Sequence, residues 1–296
     1  MNGLMAMIAV FIGGLLALES IGFSAILHPN FYLGVIAVFL ITGAGNVIND
    51  YADTESDKIN RPSRPIPSGR VSKRSALVFS LVLFVLGIFL VFFMKNLVVF
   101  TIALVNSAFL IIYSFYLQNK ILLGNIVIGY LVGSTFFFGG AIFGNPLLPL
   151  ILMVLSALVI FSREVVKDLE DIEGDRKGFL KRLTSGIKSK LSRRSGIAER
   201  FGITTRGVTF TYGKRRATVT AALGLVLAVV VSPLPYLWEM LGSSYLALVI
   251  LTDIVFIFSI YKLTKTNGKR QYARISRNIK IGMFLGLLAF IAGILV

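Results

Sequence analysis

The sequence predicts an all-α, polytopic membrane bundle of nine transmembrane helices with its N-terminus in the cytoplasm. Three observations predict it. Of 296 residues, 56% are hydrophobic and only 15% are charged, where a soluble domain carries about 25% charged residues. The apolar residues gather into runs long enough to cross a hydrocarbon core of roughly 30 Å, which takes about 20 helical residues. The basic residues fall almost entirely on one side of those runs.

Nine runs qualify, in order Leu4–Leu27, Phe31–Ile48, Ala76–Phe93, Leu97–Leu117, Ile121–Phe143, Leu147–Phe161, Thr218–Trp238, Tyr245–Tyr261 and Ile279–Val296. The sixth is short, and its helix is expected to continue into the adjoining polar segment. With nine spans, 29 of the 30 Lys and Arg residues lie in even-numbered loops, and only Lys95 lies in an odd one. The loop Asn49–Ser75 holds six, Ser162–Ala217 fifteen, the last loop seven, and Lys120 stands alone in the fourth. The positive-inside rule then puts the even loops and the N-terminus in the cytoplasm and the C-terminus outside. A wrong number of spans would scatter this pattern. The net charge of +16 therefore reads as topogenic rather than as a nucleic-acid footprint.

Other classes are excluded by composition. There is no Cys, so no disulfide or thiolate metal site, and the single His, His28, cannot build a multi-histidine site. The first apolar stretch lacks the basic flank and small-residue cleavage pattern of a secretory leader. Residues 1–296 read as one domain with no obligate protein partner evident.

The acids are concentrated where the topology makes them informative. Of fourteen Asp and Glu residues, ten lie in two windows: Asp50, Asp53, Glu55 and Asp57, then Glu164, Asp168, Glu170, Asp171, Glu173 and Asp175. Each window begins where an even-numbered span reaches the cytoplasmic side. Asp50, Asp53 and Asp57 are spaced by three and four residues, and so are Asp168, Asp171 and Asp175. Those offsets place side chains on one helix face, so each window predicts a helix leaving the membrane with a stripe of carboxylates. Like charges on adjacent turns repel by about 0.2–0.5 kcal/mol per pair. Divalent cations offset that repulsion, and hard oxygen ligands without Cys or His suit Mg2+, Mn2+ or Ca2+. Mg2+ takes few carboxylates and keeps its other positions for water and phosphates. A solvated surface neutralised by nearby Lys and Arg would explain one such window, but not two with the same spacing at equivalent places.

Each window is succeeded by cations. The first runs into Lys58, Arg61 and Arg64, within a stretch whose Pro62, Pro65 and Pro67 forbid a continuing helix. The second runs into Arg176 and Lys177. Fixed guanidinium groups suit bidentate phosphate recognition, and carboxylate followed by cation is the arrangement expected around a metal diphosphate.

These residues carry a resemblance. Asn49-Asp-x-x-Asp-x-x-x-Asp57 followed by Asn60-Arg-Pro-x-Arg-Pro-Ile-Pro-x-Gly69 resembles the first signature of the UbiA superfamily of intramembrane prenyltransferases. Ser162-Arg-Glu-Val-x-Lys-Asp-x-Glu-Asp-x-Glu-Gly-Asp175-Arg resembles the second. The Asn-Arg-Pro-Ser-Arg-Pro-Ile-Pro-Ser-Gly and Glu-Asp-x-Glu-Gly-Asp-Arg runs, with Tyr113-Ser114 and Gly124-Asn125, are most similar to the archaeal ether-lipid branch. The resemblance implies nine helices around a central cavity open laterally to lipid. It implies catalytic roles for Asn49, Asp53, Asp57, Asp171 and Asp175, with two or more Mg2+ held by Asp50, Asp53, Asp57, Asp168, Asp171 and Asp175. Asn2, Lys58, Arg61, Arg64, Tyr113, Lys120 and Arg176 are the candidates for binding prenyl diphosphate and acceptor. Relatives carry an Arg just before the Asn of the first span. Here Asn2 follows Met1 directly, so either the start lies upstream or another basic residue serves. A basic insert, Lys177–Arg206, also departs from the pattern, and reads as a mobile flap over the diphosphate, a tether to anionic lipid or a simply disordered loop.

The expected activity is Mg2+-dependent transfer of a prenyl group, geranylgeranyl, from its diphosphate to a lipid hydroxyl, that of geranylgeranylglyceryl phosphate, at the cytoplasmic side of the cell membrane. An aromatic quinone precursor is the alternative acceptor. A divalent-cation transporter is the alternative class, but it would place acids along a path near the midplane. The apolar tail is expected to lie along Phe136–Phe138. Asp253, mid-span, is expected to bond another helix rather than to catalyse.

Overall fold

In the computed structural model, which describes residues 2–18, 27–118, 120–184, 214–265 and 268–295, the apolar runs become helices with well-marked ends. Side chains are described for all of these except residues 2, 60, 121, 172–184 and 295. The helices are α1 (Asn2–Leu18), α2 (Pro29–Ala52), α3 (Thr54–Asn60), α4 (Lys73–Phe93), α5 (Leu97–Ile112), α6 (Ile121–Ile142), α7 (Leu147–Thr184), α8 (Lys214–Val231), the single turn α9 (Leu234–Leu237), α10 (Ser243–Thr264) and α11 (Lys269–Leu295). A π-helical turn, Tyr113–Leu117, extends α5.

Caps and prolines set the starts. His28 accepts from the Asn30 amide ahead of Pro29, which suits the first helical position. Ser72 accepts from the Ser75 amide at α4, and Asn96 from those of Val98 and Val99 at α5. The three prolines of the loop after α3 give consecutive turns that close at Gly69, where φ is +78°.

Among the described residues, eight helices are long and apolar enough to cross a membrane, and the shorter α1 is apolar as well. The first span was expected over Leu4–Leu27, and its last third, Glu19 included, lies outside the described residues. Large apolar side chains face outward, as Phe79, Leu86 and Phe93 do along α4. Water would penalise that surface, whereas lipid accepts it. The chain is a multi-pass membrane protein.

As expected, the short sixth span continues into the polar segment, as the first part of a 38-residue α7; this helix also takes in residues 177–184 of the expected insert, and 185–206 lie outside the described residues. One expected boundary moves. The last helix starts at Lys269 instead of Ile279. Arg270, Arg274 and Arg277 stay exposed on one face of that extension while Tyr272, Ile275 and Ile279 are buried on the other.

The helices pack into two halves sharing α1 and α6. One apolar core joins α2, α4 and α5 to these two, and the other joins them to α7, α8, α10 and α11. The α1–α6 contact is very close, because a Cβ on Gly13 would strike the Phe136 carbonyl and one on Gly139 the Val10 carbonyl. In the second half Asp253 accepts from the Ser232 hydroxyl at 2.7 Å, the expected bond between helices.

Candidate active site

The first carboxylate window is not one continuous helix. α2 ends at Ala52 and α3 begins at Thr54, with Asp53 between them at φ −81°, ψ 1°. The chain stays nearly helical there, since the Asp53 amide donates to the Asn49 carbonyl and the Asp57 amide to the Asp53 carbonyl. The Thr54 hydroxyl donates back to the carbonyls of Asp50 and Tyr51. The offset at Asp53 turns the stripe into two groups with different partners.

Asp50 and Asp57 belong to the first group. One guanidinium nitrogen of Arg64 donates to both, at 2.7 Å each. Asp57 is 7% exposed and Arg64 comes from the proline-rich loop, so this pairing folds the loop back over the window. Burial alone would lower the pKa of Arg64. Its hydrogen bond to Asp57 and the charges of Asp50, Asp57 and Asp53 raise it above the ordinary arginine value.

Asn49 and Asp53 belong to the second group. Gln118, one residue past the π turn, donates through Nε2 to Asp53 at 2.8 Å and accepts through Oε1 from Asn49 at 3.1 Å. The Gln118 amide closes that turn onto the Tyr113 carbonyl. Such turns recur at functional positions because they re-aim the residues after them. Sequence reasoning did not single out Gln118. A polar residue at the edge of a span reads as an interfacial end, and nothing local signals the π turn.

The second window is a continuous part of α7, as its spacing predicts. Asp168 accepts from Nδ2 of Asn125, near the start of α6, at 2.8 Å. Asn125 was expected only as part of a motif and here is the group that orients an acid. α6 reaches this position because Gly124 lies against the π turn, where a Cβ would come within 2.7 Å of the Leu117 carbonyl. Asp171 is exposed. Asp175 and Arg176 lie on α7, but their side chains, like that of Asn2, are outside the described ones.

The remaining candidates differ in placement. Tyr113 lines a cavity and opens the π turn. Lys58 pairs with Glu55 at 3.1 Å on the exposed face of α3, Arg61 is exposed at its end, and Lys120 is exposed at the start of α6. A cavity of about 410 Å³ runs inward from Asn49 between α1, α2, α5 and α6, past Asn46, Thr42 and Asn106 to Phe138. A second, of about 270 Å³, lies in the other half and reaches Asp253; the two share Met5, Ala9 and Val132 as lining. The expected Phe136–Phe138 groove therefore splits: Phe138 faces the first cavity and Phe136 the second, because residues two apart point to different sides of a helix.

Polar head groups at a membrane edge, leading into an apolar cavity, suit an amphiphile with a phosphorylated head. A model of the UbiA prenyltransferase family matches residues 6–288. The chain belongs to this family. It is 41% identical to a digeranylgeranylglyceryl phosphate synthase of Methanosarcina mazei, over 99% of this chain and 95% of that protein. It is 39% identical to a protein of the same name from Methanococcus maripaludis, over 99% and 94%. A solved structure described as digeranylgeranylglyceryl phosphate synthase in membranes superposes with a TM-score of 0.83 at 36% identity, covering 99% of this chain and 94% of that one. A UbiA homologue from Archaeoglobus fulgidus, solved bound to GPP and Mg2+, shares the fold at a TM-score of 0.58 and 14% identity, over 98% and 99%.

The donor set of the two windows fits Mg2+ by type, being carboxylate oxygens without Cys or His. Among the described residues no three acidic or histidine side chains stand close enough to hold one ion. In the first window it is Arg64 that Asp50 and Asp57 share.

Proposed function

We propose that this protein transfers a geranylgeranyl group from its diphosphate to the free hydroxyl of geranylgeranylglyceryl phosphate, with Mg2+, at the cytoplasmic side of the cell membrane. The observation that carries this reading is the polar network of Asn49, Asp53 and Gln118 at the mouth of an apolar intramembrane cavity. The names of relatives near 40% identity along nearly the whole chain supply the acceptor. The one-sided basic loops support the cytoplasmic orientation and, with apolar α1, the ninth span.

In the reaction the bond between prenyl C1 and the diphosphate oxygen breaks, and its electron pair leaves with diphosphate. The acceptor oxygen bonds C1, and its proton passes to the departing diphosphate. Bound Mg2+ would offset the charge growing on that leaving group, held by Asp50, Asp53, Asp57, Asp168, Asp171 and Asp175. Gln118 holds Asn49 and Asp53 in register, and Asn125 does so for Asp168. Arg64, carried on a proline-rigid loop, has the charge and the fork geometry to grip phosphate oxygens. The cavity keeps water from the allylic carbon and aligns the two lipids.

The test is purified protein in bilayers with geranylgeranyl diphosphate and a panel of acceptors, read by mass spectrometry. A diether phosphate is the expected product. Prenylation of an aromatic acceptor alone would overturn the choice of acceptor, and no prenylated product would overturn the reaction.

A further inference from the structure

Below the carboxylates the cavity is not uniformly apolar. Thr42, Asn46 and Asn49 all line it from α2, and with Asp53 they are spaced four, three and four residues apart. That spacing is a single helix face, so a polar ladder descends from the carboxylates into the bilayer. At 1.5 Å per residue, Asn46 lies about 4.5 Å below Asn49 and Thr42 about 10 Å below it. Tyr113 lines the facing wall one π turn beneath Gln118. Since Gln118 bonds Asn49, Tyr113 and Asn46 both sit just under the head-group network.

A hydrocarbon chain gains nothing from such a ladder. Asn46 is also exposed in the cavity wall, whereas the deeper Asn106 is half-buried and donates to Ser134 across α5 and α6 at 2.9 Å. In the reaction proposed above, C1 of the donor must lie directly beneath its diphosphate. The attacking oxygen must therefore lie there too, at the depth of Asn46. We propose that Asn46 seats the reacting hydroxyl of the lipid acceptor, holding it beside the allylic carbon. This rests on the prenyl-transfer reading and adds to it a residue that selects a hydroxyl nucleophile over water.

The consequence is a partition. When the acceptor is well seated, every diphosphate released yields ether product. When it is poorly seated, water captures the allylic cation and prenyl alcohol appears. The experiment compares wild type with Asn46→Ala and Asn46→Ser in bilayers, counting diphosphate, ether product and geranylgeraniol, and repeats binding with an acceptor analogue lacking the free hydroxyl. For Asn46→Ala the expected result is an unchanged KM for donor, a KM for acceptor raised about tenfold, as one lost hydrogen bond would give, and a larger share of prenyl alcohol. Wild type should favour the hydroxyl acceptor over the analogue, Asn46→Ala should not, and Asn46→Ser should recover part of the preference. If Asn46→Ala does not fold, the shift towards prenyl alcohol must appear in Asn46→Ser. An unaltered partition and an unaltered acceptor preference in a folded variant would overturn the proposal. Wild-type protein that releases diphosphate without forming any ether would instead overturn the reading of the reaction.

Discussion

The two carboxylate windows have the same spacing in sequence and different structures. The first is interrupted at Asp53, and its aspartates divide between Arg64 and Gln118. The second runs unbroken along α7, and Asp168 has a single partner on another helix, Asn125. The first is therefore a network whose members constrain one another, whereas in the second, among the described side chains, one acid is tied to another helix while Val165, Val166 and Leu169 anchor the helix in the core. A proline-rich loop comes after the first and folds back on it. A continuing helix comes after the second. Identical spacing specifies which side chains share a face, but partners from elsewhere decide what each acid does.

The largest expected effect treats the windows alike. Removing divalent cations with EDTA should abolish turnover, and Mg2+ should restore it; full activity in chelator would break the shared metal role. Next, Asp53→Ala in the first window and Asp175→Ala in the second should each lower kcat by about 10²–10³-fold or more, the scale of losing one group that stabilises transition-state charge, while the protein stays folded in detergent. Near-normal turnover in either variant would leave one window to do the chemistry alone.

Smaller effects should separate the windows. Gln118→Ala releases Asn49 and Asp53 together, whereas Asn125→Ala releases only Asp168. Gln118→Ala is expected to cost about tenfold in kcat and Asn125→Ala less, by the loss of two positioning bonds against one. Equal losses, measured under saturating substrates, would remove the distinction between a shared network and a single tie. The smallest effect concerns the basic stretch C-terminal to the second window. Replacing Lys181–Thr204 by a Gly-Ser link should raise the KM for prenyl diphosphate a few-fold if that stretch closes over the head group. An effect confined to the dependence on anionic lipid would mark a tether instead, each basic residue near the surface contributing about 1 kcal/mol.

Hydropathy located most of the helices because a helix must present an apolar face to lipid over its whole crossing, as α4 does with Phe79, Leu86 and Phe93. It placed the start of α11 ten residues late. There the helix leaves the membrane with Arg270, Arg274 and Arg277 on one face and Tyr272 and Ile275 on the other, an amphipathic pattern that a search for apolar runs passes over. The acids of the site were readable because ten of the fourteen fall in two windows with the same three-and-four spacing. Gln118 and Asn46 are uncharged amides near polar segments, and nothing in their neighbourhood distinguishes them.

The sequence by itself determined that the chain is a helical membrane protein, where its spans run, which face is basic, and which two windows hold oxygen donors of a kind that suits Mg2+. These are local properties, set by side-chain chemistry and by the periodicity of a helix. Only the tertiary structure decided that Asp53 interrupts its helix, that Arg64 joins Asp50 to Asp57, and that Phe136 and Phe138 face different cavities. It also decided that Gln118, 69 positions from Asn49 and 65 from Asp53, ties them together. Hydrogen bonds between residues so far apart form only when packing sets the depth of one helix against another. That depth depends on contacts such as Gly13 and Gly139 between α1 and α6 and Gly124 against the π turn, where a missing side chain lets two backbones meet.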